Sequence, residues 1–228
     1  MNELLFFGTI VLIFSGLVLV HRYLGKLGVC AWAVMATIIA NIEVAKCIDM
    51  FGLSVTLGNV IYGSVFLCTD MLSEFYGEKE AKKCINLTMV FMVISTILFQ
   101  VSLLFVPNAQ DTLSPALKQV FAMVPRFTIS SIICFVVSNK LDIHLYQRIK
   151  RRFPNHLWLR NNGATMVAQL VDSVLYCLLA FTGLFDVRTL IEIMATTYII
   201  KLIIAACDTP FLYLVRYINN KRPVICED

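Results

Sequence analysis

Apolar runs of about 20 residues recur along the whole chain, each closed by a short polar segment. At a helical rise of about 1.5 Å per residue, such runs match the hydrocarbon thickness of a bilayer. They predict spans at roughly 4–20, 28–50, 57–76, 85–106, 120–139, 163–184 and 189–215. The first is short. The fifth is interrupted by Pro125 and Arg126 and reads as a broken or re-entrant helix, which is tolerable where it is buried in protein or lines a cavity. The segment Pro107–Pro115 reads as a turn-rich external loop, and Tyr146–Asn162 as a basic cytoplasmic loop that orients the chain on anionic lipid. The expected fold class is therefore all-α, a polytopic transmembrane helical bundle with six or seven spans. Residues 1–228 form one integral membrane domain.

Composition agrees with the pattern. The chain is 59% hydrophobic and only 15% charged, and its mean hydropathy is +0.79. That leaves too little polar surface for a soluble domain and no length for a separate one. No P-loop is present, and Leu4–Val20 lacks the basic flank and cleavage site of a signal peptide, so it reads as a retained span. Eight cysteines are scattered singly, with no CxxC and no histidine at zinc-ligand spacing, so no metal site is expected. His21, His144 and His156 fall in or next to polar loops. No HExxH or GxSxG occurs, which argues against an enzyme. No cofactor and no nucleic-acid partner is expected. The partners are a small molecule and lipid, with homo-oligomerisation left open.

The net charge of +4 arises from basic residues that alternate between polar segments. Fourteen of them, from Arg22 and Lys26 to the tail, fall on one side, and Lys118 and Arg188 on the other. The positive-inside bias puts the N-terminus outside and the C-terminus in the cytoplasm. Lys46, Arg126 and Lys201 remain inside predicted spans.

A charge in hydrocarbon costs at least a few kcal/mol, so such residues face the bundle interior and have partners. In span 2, Asn41, Glu43, Lys46 and Asp49 form a polar stripe, with Glu43 and Lys46 at i,i+3 pairing distance. In span 3, Thr69, Asp70, Ser73 and Glu74 share a side with Tyr62 and Phe66. Span 6 brings Gln169 and Asp172, with Thr165 and Tyr176. Span 7 brings Tyr198, Lys201 and Asp208, and span 5 brings Arg126, Ser130 and Ser131. Stripes on four or five helices can be satisfied by facing one inner site. Ser, Thr and Asn alone would serve as interhelical glue. Trp32, Tyr213 and Tyr217 read as interfacial anchors. The acidic excess suits a cation, a proton or a ligand rich in N–H donors.

The run Asn41–Glu43–Lys46–Asp49, followed by TDMLSEFYG from Thr69 to Gly77, resembles the queuosine precursor transporter family. LRNNGATMVAQLVDS at Leu159–Ser173 matches as well, as does Tyr198–Tyr213 with Lys201 and Asp208–Thr209–Pro210. The resemblance covers about residues 28–217. It implies import of 7-deazaguanines, queuine and its cyano- or aminomethyl-bearing precursors, across the bacterial cytoplasmic membrane for tRNA modification. The expected substrate site comprises Asn41, Glu43, Lys46, Tyr62, Phe66, Asp70, Glu74, Gln169, Asp172 and Lys201. Asp49, Arg126 and Asp208 are assigned structural or coupling roles. A carboxylate would accept the ring N–H and amine, a donor would meet the carbonyl, and Phe66, Tyr62, Phe75 or Tyr176 would stack on the ring. The pairing itself stays open. An inverted repeat of spans 1–3 and 4–6 would bring Asp70 and Asp172 to one pseudo-twofold site. A substrate-binding subunit of an ATP-driven vitamin importer is the alternative. Proton-coupled and facilitative transport are both open, with Glu43–Lys46 and Asp208–Lys201 as the coupling candidates.

Overall fold

The computed structural model describes residues 2–44, 46–50, 53–122, 124–183 and 186–221. Its elements are α1 (Asn2–Glu43), β1 (Cys47–Met50), β2 (Leu53–Thr56), α2 (Gly58–Phe75), α3 (Glu78–Ser102), α4 (Ser114–Ala122), α5 (Val124–Arg152), α6 (Leu157–Phe181) and α7 (Val187–Lys221). Five helices, α1, α3, α5, α6 and α7, are long and apolar enough to cross a membrane. Large apolar side chains such as Leu4, Leu12, Leu98 and Ile191 point outward, as expected of a surface solvated by lipid.

α1 is not a straight rod. Gly25 sits at φ 56°, ψ −143°, a left-handed conformation that a side chain would strain. The chain doubles back there. A Cβ on Gly16 would lie 2.8 Å from the Trp32 ring, a contact that residues 16 apart on one straight helix, roughly 24 Å from each other, could not make. Asn2 likewise reaches Asp49, donating from Nδ2 to its carbonyl at 2.9 Å. The two arms of α1, with α2, α3, α5, α6 and α7, match the seven apolar runs one to one. Trp32 therefore packs inside the bundle, donating from Nε1 to Ser64 Oγ at 3.0 Å, and is not an interfacial anchor. His21 is buried rather than in a loop and lies 3.2 Å from the Tyr76 hydroxyl.

α2 is the central element, with most of its 18 residues buried. It meets α7 so closely that a Cβ on Gly63 would stand 2.3 Å from Ile204 Cγ2. α5 and α6 pack most extensively against each other, followed by α1 against α2.

Three boundaries differ from the sequence reading. The second apolar run does not stay helical to residue 50. The helix ends at Glu43, and β1 pairs antiparallel with β2, Cys47 opposite Thr56 and Asp49 opposite Ser54. The β-branched Ile48, Val55 and Thr56 suit that geometry. Lys46 and Asp49 therefore leave the Glu43 stripe and lie exposed. The broken fifth run resolves into α4 and α5, with Pro125 in the first turn of α5, where its missing N–H costs nothing. Arg126 is exposed and donates to the Thr182 carbonyl at 2.9 Å, so it is a helix-end contact and not an interior charge. Finally, α5 runs to Arg152 and α6 begins at Leu157. The supposed loop is mostly helix, because Phe135, Ser138, Asn139, Asp142, Ile143 and Tyr146 continue one buried face at 3–4-residue spacing.

Candidate functional site

Four helices, α2, α5, α6 and α7, carry polar side chains into the interior at three levels. The upper level is a cavity of about 360 Å³ near the C-terminal ends of α1 and α6 and the N-terminal end of α2. Its walls are apolar and aromatic, with Tyr62, Phe135, Tyr176 and Phe181, and its polar groups include Thr37, Asn41, Asn59, Ser131 and Thr197. Asp172 and Lys201 are its only acidic and basic lining residues among those described.

The pair is dry. Lys201 Nζ and Asp172 Oδ2 form a direct ion pair with side chains only 6% and 5% exposed. Oδ1 accepts from the Tyr62 hydroxyl at 3.3 Å and lies 2.9 Å from Ser138 Oγ, which also lies 2.6 Å from the Cys134 carbonyl. Lys201 Nζ also lies 5.4 Å from the Tyr62 ring centroid, a cation–π distance. Both carboxylate oxygens are thus engaged, which offsets part of the several kcal/mol cost of burying the group. The Tyr176 hydroxyl is buried in the same wall without a partner.

The middle level lies one to two turns further along the same four helices. Asp70, Asp142 and Asp208 are all buried there. Thr165 Oγ1 lies 3.3 Å from Asp70 Oδ2 and 3.2 Å from Asp142 Oδ1. Thr69 Oγ1 donates to the Phe66 carbonyl at 2.8 Å and lies 3.5 Å from Asp142 Oδ2. Asn161 Nδ2 donates to Asp208 Oδ1 at 2.7 Å.

The lowest level is a closure. Glu74 Oε1 pairs with Arg160, which is almost fully buried, and Oε2 pairs with Lys150 at 3.0 Å and accepts from the Tyr146 hydroxyl at 3.2 Å. Arg160 Nη1 donates to the Pro154 carbonyl at 2.6 Å. Lys150 Nζ also reaches the carbonyls of Ser73 and Glu74. These contacts tie α2, α5 and α6 together at the end opposite the cavity.

Of the ten expected substrate residues, Asn41, Tyr62, Asp172 and Lys201 line the cavity. Phe66 lies beneath it, edge-on to Tyr62. Gln169 is buried with Oε1 unpartnered. Asp70 lies in the middle level and Glu74 in the closure. Glu43 is half-buried at the end of α1, and Lys46 is exposed in the turn beyond it. Asp208 is in the middle level, paired with Asn161 and not with Lys201. Asp70 meets α6 at Thr165, seven residues before Asp172, so the two acids do not converge on a twofold site.

Sequence reasoning missed Asp142, Tyr146, Arg160 and Asn161 as interior groups, because the polar text around them read as a loop. The 3–4-residue spacing of Phe135, Ser138, Asp142 and Tyr146 is the signal that could have found the α5 members.

The family model described as "Putative vitamin uptake transporter" matches residues 56–215. A protein of Bacillus subtilis (strain 168) named "Probable queuosine precursor transporter" is 37% identical over 208 residues, 90% of this chain and 91% of the relative. One of Escherichia coli (strain K12) named "Queuosine precursor transporter" is 22% identical over 169 residues, 73% of this chain and 74% of the relative. The chain belongs to this vitamin uptake transporter family. It is a multi-pass membrane transporter and not an enzyme. No solved structure matches it. Neither relative is named as a subunit of an ATP-driven importer, so that alternative is not supported.

Proposed function

We propose that the protein imports queuosine precursors, 7-deazaguanine bases, across the cytoplasmic membrane, and that Asp172 and Lys201 hold the polar edge of the base. The observation that carries this reading is one carboxylate and one ammonium side by side in the wall of an aromatic cavity. A 7-deazaguanine presents a ring N–H and an exocyclic amine together, with a carbonyl next to them. A carboxylate accepts both N–H groups, and an ammonium donates to the carbonyl. The 3.3 Å contact from Tyr62 is the weakest on Asp172 and the one a base would displace. Tyr62, Phe135 and Tyr176 supply flat walls for the ring. The relatives' names, both those of queuosine precursor transporters, select this substrate class among flat, donor-rich molecules.

The basic segments belong in the cytoplasm by the positive-inside rule. The cavity then faces outward, and the Glu74–Arg160–Lys150 closure seals the cytoplasmic side. The test is uptake of labelled queuine and its precursors by cells that express this chain and lack their own synthesis and uptake. Asp172→Asn keeps the shape and removes the charge. With hydrogen bonds to a charged group worth about 1.5–3 kcal/mol each, uptake should fall roughly 10–100-fold at unchanged membrane insertion. No uptake by the native chain, or normal uptake by both Asp172→Asn and Lys201→Met, overturns the reading.

A further inference from the structure

We propose that Asp70, Asp142 and Asp208 form a proton site that couples substrate import to the inward proton gradient. This rests on the transporter reading above.

The first argument is charge balance. All three carboxylates are buried, and none is in an ion pair among the described residues. The nearby cations are already committed, Arg160 and Lys150 to Glu74, and Lys201 to Asp172. Three unpaired carboxylates in a dry interior cannot all be ionised. The other groups facing them are neutral: Thr69, Thr165, Asn161, the Tyr146 phenol, and the thiols of Cys68 and Cys207. Glu74 lies one turn beyond Asp70 on α2 and is tied to Arg160.

The second argument is a deficit of hydrogens. Thr165 has one hydroxyl hydrogen but sits between oxygens of Asp70 and Asp142. Thr69 spends its hydrogen on the Phe66 carbonyl at 2.8 Å, the shorter of its two contacts, and still lies near Asp142. Both arrangements become fully bonded when a carboxyl supplies the missing hydrogen. Asp70 Oδ1, Asp208 Oδ2 and the fully buried Asn161 Oδ1 have no donor at all. Asn161 is an independent pointer, since its amide already grips Asp208 while its oxygen waits for a donor. A buried acceptor left bare costs about 1–3 kcal/mol, so a set of them marks a missing binding partner. That partner is a proton, which a single carboxyl oxygen can hold and which supplies the missing hydrogens at Thr165 and Thr69.

Position supplies the coupling. Tyr62 and Asp70 share α2, Ser138 and Asp142 share α5, Asp172 and Thr165 share α6, and Lys201 and Asp208 share α7. Each helix that grips the Asp172–Lys201 pair also presents a group to the acids, four to eight residues or roughly 6–12 Å along its axis. A movement of these helices that changes one level changes the other. Neutralising the acids by a proton removes their mutual repulsion, and ionising them toward the cytoplasm restores it.

The experiment uses the full chain in proteoliposomes with labelled queuine, in two modes. Counterflow exchange reports translocation alone. Accumulation under an inward pH gradient reports coupling. With the potential clamped at zero, one proton per neutral substrate at one pH unit gives about tenfold accumulation. Collapsing the gradient should return it to equilibration. A pH-sensitive dye should record substrate-driven acidification of the lumen, a readout on the native chain that needs no variant to fold. Asp142→Asn should still exchange substrate but lose accumulation. Exchange without proton-linked accumulation overturns the proposal and leaves the transporter reading standing. Accumulation driven by a sodium gradient in place of the proton gradient overturns it as well. Absence of counterflow in the native chain overturns both.

Discussion

Replacing Lys201 by Met removes the one cation that faces the Asp172 carboxylate. The two side chains are 6% and 5% exposed, so water from the cavity replaces the ammonium only in part. Tyr62 would still donate to Oδ1, but Oδ2 would lose its cation. Breaking a buried ion pair by removing one member costs about 3–5 kcal/mol, whereas neutralising both members together is often close to neutral. Lys201→Met should therefore melt well below the native chain. Lys201→Met combined with Asp172→Asn should recover most of the loss, since the asparagine leaves no uncompensated charge. A maleimide fluorophore in detergent micelles provides the assay, because Cys68, Cys84 and Cys177 are buried and react on unfolding. Both forms should lose uptake, as each lacks a group that meets the base. Stability is what separates them. If the single variant melts with the native chain, or the double variant melts no higher than the single, the ion pair is not dry and the energetic reasoning fails.

Other expectations follow from the same geometry. Reporter fusions after Lys26, Lys83 and Arg152 should report cytoplasm and one near Asp111 the outside; two contrary results refute the proposed orientation. Glu74→Gln weakens the pairs with Arg160 and Lys150, so a cysteine introduced at Asn161 should become reactive from the cytoplasmic side, and an unchanged labelling rate would count against the closure. Gly63→Ala should destabilise by about 1–3 kcal/mol through overpacking, because the new Cβ meets Ile204 Cγ2; failure of Ile204→Ala to restore the melting point would show that the clash is not the cause. Ser114 and the backbone N–H groups of Ser114 and Leu113 hold the exposed Asp111 carboxyl below its ordinary range. This turn should be fully stabilised above the ordinary carboxylate pKa, loosen as pH falls below it and lose the contribution once pH passes the lowered value, so protection of the Leu113 and Ser114 amides, corrected for the intrinsic exchange rate, should fall across that window.

The all-α class and the positions of most helices were legible in the sequence, because both follow from local rules. A run of apolar residues about 20 long forms a helix in lipid whatever its neighbours are, since the backbone must satisfy itself. The polar break between the first two apolar runs, at Arg22 and Lys26, fell where α1 reverses. The members of the polar stripes were legible as well, since helical periodicity is local. Their level in the bundle was not. Lys46 and Asp49 looked continuous with Glu43 until β1 and β2 paired, and pairing depends on residues 53–56. Asp70, Asp172 and Asp208 looked alike as intramembrane acids. Only the packing of α2, α5, α6 and α7 gave Asp172 a lysine and left Asp70 and Asp208 without one. Asp142 and Arg160 lay hidden in polar text because a helix buried among polar partners has no apolar signature. Whether a charged residue is a loop residue or an interior one depends on what the other helices bring to meet it, and that is a property of the tertiary structure.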